Sequence, residues 1–325
     1  MPDDLVTGLA LAPPIIAGCV LFRSAALAML AVALVAGLIG QLLARGLWRE
    51  RIPRPQASPL IAAVIGVALI GPAAPLVTTV SVAIAAVILE LLRARLTPAV
   101  RAQAGLIAYA CVTVITMIRL NGGVTHYVTS ATGAYLNPST QKPFADPIGI
   151  WLTYFGGSAA PIDPIRLYVG NVAGPVFATS LLAIAISVAW LWYARRLSLV
   201  VLIGLLIGAL IPISLYHWDP LFQLDSGPLW FVGALILADR RLLPGSWAVR
   251  PLMGLAGGLV SISLRYRGFG IEATLWTVAA LQAMYAVIVI ASSLAAAASE
   301  GWTRSRRIRR RRHQLRVVDG VSKAG

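Results

Sequence analysis

The 325-residue chain is 58% hydrophobic and only 12% charged, and its mean hydropathy of +0.82 is far above that of a soluble domain of this length. That excludes an ordinary soluble enzyme. The net charge of +15 sits mostly on Arg in short runs between apolar stretches, which marks membrane topology rather than a nucleic-acid surface, so no nucleic acid is expected as a partner.

The chain opens on "MPDDLV", acidic where a cleavable signal peptide is basic. A membrane span needs about 20 apolar residues, and that rule predicts spans at 6–22, 25–47, 58–74, 75–93 and 102–119, then at 171–194, 197–216, 227–243, 249–265 and 272–297. Lys and Arg in short loops favour the cytoplasmic side. With the N-terminus inside, the inner loops hold Arg45, Arg49, Arg51, Arg54, Arg93, Arg95, Arg101, Arg195, Arg196, Arg240, Arg241 and Arg250; the outer ones hold Arg23, Arg119, Lys142, Arg166, Arg265 and Arg267. Both termini are therefore expected in the cytoplasm, and the tail "RSRRIRRRRHQLR" is expected to meet anionic lipid headgroups. Cys19 and Cys111 fall in apolar segments and read as buried free thiols.

Five spans precede residues 120–170 and five follow, and an odd-numbered repeat inverts the second half relative to the first. The expected fold is an all-α polytopic membrane protein of about ten transmembrane helices in two five-helix inverted repeats. Its expected parts are a first half at 1–119, an extracytosolic loop at 120–170, a second half at 171–297 and a basic cytoplasmic tail at 298–325. The third span of each half is short and opens alike, "SPLIAAVIGVAL" from Ser58 and "SGPLWFVGALIL" from Ser226, the pattern of paired broken helices around a midplane site.

Residues 120–170 form the longest expected non-helical piece, and loops of that length are usually functional. Within it "FADPIGIWLTYFGG" mixes Trp151, Tyr154 and Phe155 with apolar residues, as an interfacial helix does. The string "HYVTSATGAYLN", His126 to Asn137, is polar and rich in small residues. Ser130, Thr132 and Gly133 there suit either a plain turn or a hydroxyl open to modification. The sixth span opens "GNVAGPVFATSLLAIAI", where Gly170, Gly174, Thr179 and Ser180 suit either close helix packing or a phosphate at unpaired N–H groups.

Glu90, Asp239 and Glu272 are the acids within or bordering the spans, and an acid at membrane depth is a candidate for an ion pathway. Each also has a structural reading: Glu90 beside Arg93, Asp239 in a local pair with Arg240 and Arg241, and Glu272 at a helix start. His126 and His217 both fall in outer loops, so they form no stacked pair for a membrane haem. No Walker, GxGxxG, HExxH or ferredoxin-type Cys pattern is present, and no metal site is expected.

Three runs carry a family likeness. "GNVAGPVFATSLLAI" at Gly170–Ile184 resembles the pattern "GNIPGSIGETSALAI". "QLDSGPLWFVGALILADR" at Gln223–Arg240 resembles "HLLSGGLMLGAFFMATDP". "LRYRGFGIEATLWTVAALQAMYAVI" at Leu264–Ile288 resembles "IRxxGGYPEGVAFAxLLxNAxxPLI". Fainter echoes of "DGSAxVTGLLLAL" and "NPAMVGRxxLL" occur in "QASPLIAAVIGVAL" and "TPAVRAQAGLI". In order and spacing the chain resembles the RnfD/NqrB family, the large membrane subunits of the Rnf and sodium-pumping NADH:quinone oxidoreductase complexes.

The resemblance implies an electron-transfer subunit of a translocase-type membrane oxidoreductase in the bacterial inner membrane. It also implies FMN on Thr132 through a phosphoester bond, since "HYVTSAT" falls where the family has "DGxSGAT" or "DAxSSAT", and it allows a second flavin. Gly170, Gly174, Thr179 and Ser180 would border the flavin, with Ser226, Gly227 and Asp239 lining the second half of the core. Other membrane redox subunits, an FMN-bearing extracytosolic protein and quinone are the implied partners. The chain departs from the family at His126, which replaces the leading Asp, and at Phe177 and Ala178, which replace a Gly and the Glu of "GSIGET". The alternative is an inverted-repeat transporter of a small solute without flavin; a third reading is a structural membrane subunit whose tail recruits partners.

Overall fold

The computed structural model describes residues 3–47, 58–72, 74–119, 164–170, 174–218, 220–269 and 272–295, and among them there is no β-strand. By contact they divide into Met1–Ala283 and Met284–Gly325, the latter contributing the final turns of the last helix. In chain order the helices are α1 (Asp3–Leu47), α2 (Pro59–Ala68), α3 (Leu76–Leu96), α4 (Ala104–Arg119), α5 (Pro164–Val169), α6 (Leu181–Tyr193), α7 (Leu199–Leu215), α8 (Pro220–Asp225), α9 (Val249–Leu264) and α10 (Ala273–Ala295). A π-helical stretch, Phe231–Leu237, precedes α9, and a second, Arg265–Phe269, follows it. The fold is all-α. Asp3–Gly46, Leu76–Leu96 and Ala273–Ala295 are each long and apolar enough to cross a membrane, and the shorter apolar helices Pro59–Ala68, Ala104–Thr116, Leu181–Tyr193 and Leu199–Leu215 fall on four more of the expected spans.

Each departure from the expected boundaries has a cause in the backbone. The 45 residues of α1 would reach roughly 68 Å as one rod at 1.5 Å per residue, twice a hydrocarbon core. The run breaks at Arg23 (φ 49°, ψ −120°), between the first and second expected spans. Arg195 (φ 56°) breaks the chain at the matching junction between the sixth and seventh.

The third span is helical only to Ala68 instead of continuing to 74, because Gly71, Pro72 and Pro75 cannot extend it. Its start is well made: Ser58 caps Leu60 N–H at 3.1 Å and donates to Gln41 Oε1 at 2.8 Å, with Pro59 in the first turn. The sixth span is helical only from Leu181, not from 171. Residues 174–180 form a turn before it, Ala178 N–H on Pro175 O at 3.2 Å, and donate back to the broken third span, Val176 N–H to Ile70 O at 2.8 Å and Phe177 N–H to Ala68 O at 3.3 Å. The carbonyls that α2 leaves unpaired at its end thus find partners from the other half of the chain.

In the eighth span, Ala238 N–H bonds to Gly233 O at 2.8 Å, the wider turn of a π-helix. The loop after the fifth span, expected to be non-helical through Gly170, contains α5, begun by Pro164. Residues 120–163, including the expected interfacial segment, lie outside the described residues.

The closest packing joins α7 to α9. Gly204 and Gly208 face Gly254 and Gly258; a Cβ on Gly208 would overlap Leu255 O, and one on Gly258 would overlap Leu205 O. Two small-xxx-small pairs thus let the helix backbones touch. Large apolar side chains remain exposed along the helices, among them Ile186, Leu210 and Val287, as a surface facing lipid does. Cys19 is half-buried and Cys111 is exposed. The expectation of two buried thiols therefore fails at Cys111, because an apolar span buries one stripe against protein and turns the rest outward.

Candidate functional site

Gly170 takes φ +91°, and a Cβ there would lie 2.5 Å from the Ser180 backbone, so only glycine allows this approach. Ser180 caps α6 by accepting Ala183 N–H at 3.4 Å. Gly174, Thr179 and Ser180 are buried, as are Phe177 and Ala178. A Cβ on Gly18 of α1 would overlap the Phe177 ring and Val176 O. The bulk that Phe177 adds is therefore seated against α1.

Ser226 and Gly227 form a second tight turn, with Gly227 at φ +72°. Arg265 holds it. This arginine, counted from sequence among outer-loop charges, is wholly buried. Its Nη1 donates to Gln223 O at 2.6 Å, to Gln223 Oε1 at 3.2 Å and to Ser226 Oγ at 3.1 Å, while Nη2 donates to Ser226 O at 3.1 Å. Sequence reading missed Arg265 and Gln223. The signal available was an Arg directly behind an apolar span with a Gln and a Ser 42 and 39 residues before it.

The chain neighbours of these two turns line one cavity of about 520 Å³. Tyr168 and Leu181 flank the Gly170–Ser180 segment, Asp225 and Trp230 flank Ser226–Gly227, and Ile184 and Trp192 continue the wall along α6. The lining is apolar and aromatic with one carboxylate, the make-up of a site for a small, flat, largely apolar ring.

The candidate acids lie elsewhere and are held differently. Glu90 is buried and forks onto Arg93, with Oε1 to Nη2 at 2.6 Å and Oε2 to Nε at 2.9 Å; Arg93 also donates to Val100 O. Asp239 is buried too. Its expected partners were Arg240 and Arg241, but Arg240 turns outward and Arg196 takes its place, Nη2 to Oδ2 at 2.8 Å, with Arg241 at 3.1 Å. The exchange follows from the backbone. Leu197 and Asp239 form an antiparallel bridge, with Ser198 N–H on Ala238 O and Arg240 N–H on Arg196 O, which carries Arg196 to the carboxylate. Arg196 and Arg241 also reach Thr7 Oγ1, at 3.3 and 2.6 Å, tying the start of α1 to this cluster. Glu272 is wholly buried at the head of α10. Among the described residues no group of three or more His, Cys, Asp or Glu could hold a metal ion.

Ser130, Thr132 and Gly133 lie outside the described residues. Of the other candidates, Gly170, Gly174, Thr179 and Ser180 form one segment and Ser226–Gly227 another, and both border the cavity's walls; Glu90 and Asp239 sit in arginine clusters of their own.

Long apolar helices with exposed apolar surfaces, broken third and sixth spans paired with each other, and acids buried among them define a polytopic helical membrane protein. The NQR2, RnfD, RnfE family model matches residues 5–289, and the chain belongs to that family. Comparison with curated protein sequences gives no match. The protein is therefore an RnfD/NqrB-type membrane subunit, and other membrane subunits of such complexes are its partners.

Proposed function

We propose that the protein relays electrons through FMN bound covalently to Thr132, with the ring seated at the mouth of the cavity between α6, α7 and Trp230. The observation that carries this is the convergence of two separate motif segments on one cavity: residues flanking Gly170–Ser180 and residues flanking Ser226–Gly227 line the same space. The described residues fit the group. The volume suits a fused ring, Trp192 and Trp230 offer faces for it, Tyr168 offers a hydroxyl, and Asp225 can accept from a ring N–H.

FMN supplies the electron chemistry when bound. Trp192 and Trp230 would orient the ring between aromatic faces, and Asp225 would meet its polar edge. Gly170 and Gly227 allow the tight turns that bring these walls together, and Ser180 fixes the start of the helix that forms one of them. A second flavin, an FMN-bearing extracytosolic protein and quinone belong to the same reading as further carriers. So does coupling to ion movement, with Glu90, Asp239 and Glu272 as candidates. In this reading the chain lies in the inner membrane with its termini in the cytoplasm and its basic tail on anionic lipid.

The test is co-expression with a flavin transferase, followed by in-gel flavin fluorescence after denaturation. Wild type should glow and Thr132→Ala should be dark. If both are dark while a control substrate is labelled, the relay loses its support, and solute flux in that dark protein would favour the transporter.

A further inference from the structure

We propose that the contact between α4 and α10 binds a file of internal water molecules that reaches the Glu272 carboxyl. From Glu272 to Ala279 every side chain is buried except Trp276, which is half-buried, so α10 begins inside the protein and not against lipid. That stretch nevertheless carries Glu272, Thr274, Trp276 and Thr277. Hydroxyls further along a helix find a carbonyl one turn back: Thr277 donates to Ala273 O at 2.8 Å and Thr113 to Tyr109 O at 2.7 Å. Thr274 lies in the first turn, where no helical carbonyl stands four residues before it. Its Oγ1, Trp276 Nε1 and Gln103 Nε2 are buried atoms without a hydrogen-bond partner among the described residues. The residues that carry them are themselves deeply placed, Gln103 at 4% exposure and Thr274 at 0%.

Gln103 Nε2 and Trp276 Nε1 lie along one helix contact, and Glu272 stands one turn from Trp276 on the same side of α10. Gln103 N–H donates to Gln282 Oε1 at 2.9 Å, and the rings of Tyr109 and Trp276 lie 6.5 Å apart. Residue numbers rise along α4 as they fall along α10, so the two helices run antiparallel. From the level of Gln282, where Gln103 sits, to Glu272 is ten residues, about 15 Å at 1.5 Å per residue. In a membrane core, polar groups find partners because no bulk water supplies them. Trp190 shows the usual solution, its Nε1 donating to Val6 O at 3.1 Å.

The occupant must accept hydrogen bonds from an indole N–H and an amide NH₂ and extend over a dozen ångströms. A single ion is too small to do so, and an anion would face the Glu272 carboxyl one turn from Trp276. Several water molecules, each with protein and water partners, meet every requirement. Water there gives Glu272 an aqueous connection at membrane depth, the route by which this acid would exchange a proton. The proposal uses neither the flavin nor the cavity along α6.

Radiolytic hydroxyl-radical labelling with peptide mass spectrometry tests it on the full chain in lipid nanodiscs. Bound water generates the radical in place, so Trp276 should be oxidised several-fold faster than Trp190, which is also half-buried but has its N–H on a protein carbonyl. In the variant Gln103→Leu the rate at Trp276 should fall toward that of Trp190. Equal rates at the two tryptophans in the wild type would overturn the proposal without need of any variant, as would an unchanged rate in Gln103→Leu. Thr132→Ala protein should behave as wild type, which separates this outcome from that of the flavin test.

Discussion

Asp239 has its charge matched by Arg196 and Arg241 in a buried cluster, and removing one partner of such a pair leaves the others uncompensated. Breaking a buried pair costs about 3–5 kcal/mol. Asp239→Asn should therefore lower the thermal unfolding midpoint in detergent sharply, while Arg240→Gln, at an exposed side chain, should leave it unchanged. Ser180→Ala removes the cap of α6 and should cost about 1 kcal/mol, read in the same melt. Phe177→Ala should cost about 3–5 kcal/mol, because Phe177 fills the space against Gly18. Legibility at this scale depended on spacing along the chain. Glu90 with Arg93 and Asp239 with Arg241 could be read from neighbours three and two residues apart. Arg196 on Asp239 and Arg265 on Ser226 could not, since pairs 43 and 39 residues apart form only when the bridge and the turn exist.

Helix contacts carry the next level of the account. α7 and α9 touch backbone to backbone at Gly204, Gly208, Gly254 and Gly258, so Gly208→Leu should abolish the monodisperse peak in size-exclusion chromatography. Gly245→Ala should not, because nothing stands within 4 Å of that position. Filling the cavity by Ala185→Phe should leave covalent labelling at Thr132 intact but change the absorption spectrum of the bound flavin; an unaltered spectrum would remove the cavity from the proposed site. The ten apolar segments were legible, yet the helical extent of the third and sixth was not. An apolar window measures partition into lipid and carries no information about where backbone hydrogen bonds go. Ile70 O is satisfied by Val176 N–H, and only the Gly and Pro residues at 71–75 and 174–175 hinted that both spans would be interrupted there.

For the whole molecule, composition alone established a membrane protein, and the quoted runs along Gly170–Ile184, Gln223–Arg240 and Leu264–Ile288 pointed to the family whose model matches residues 5–289. The positive-φ breaks at Arg23 and Arg195 stand at the expected junctions between the first and second spans and between the sixth and seventh. Residues before 120 and after 164 pack together in the described unit: the segment before α6 pairs with the end of α2, Trp190 bonds to Val6 O, and Arg101 donates to Leu243 O. The cavity draws its walls from residues between Tyr168 and Trp230. The central claim is the bond at Thr132, and the measurement that meets it most directly is peptide mass spectrometry of protein made with a flavin transferase. The account predicts that the peptide spanning His126–Asn137 is heavier by one FMN less one water, with fragment ions placing the addition on Thr132. An unmodified peptide from protein whose control substrate is fully labelled, or an addition on Ser130 or Thr129 instead, would contradict it.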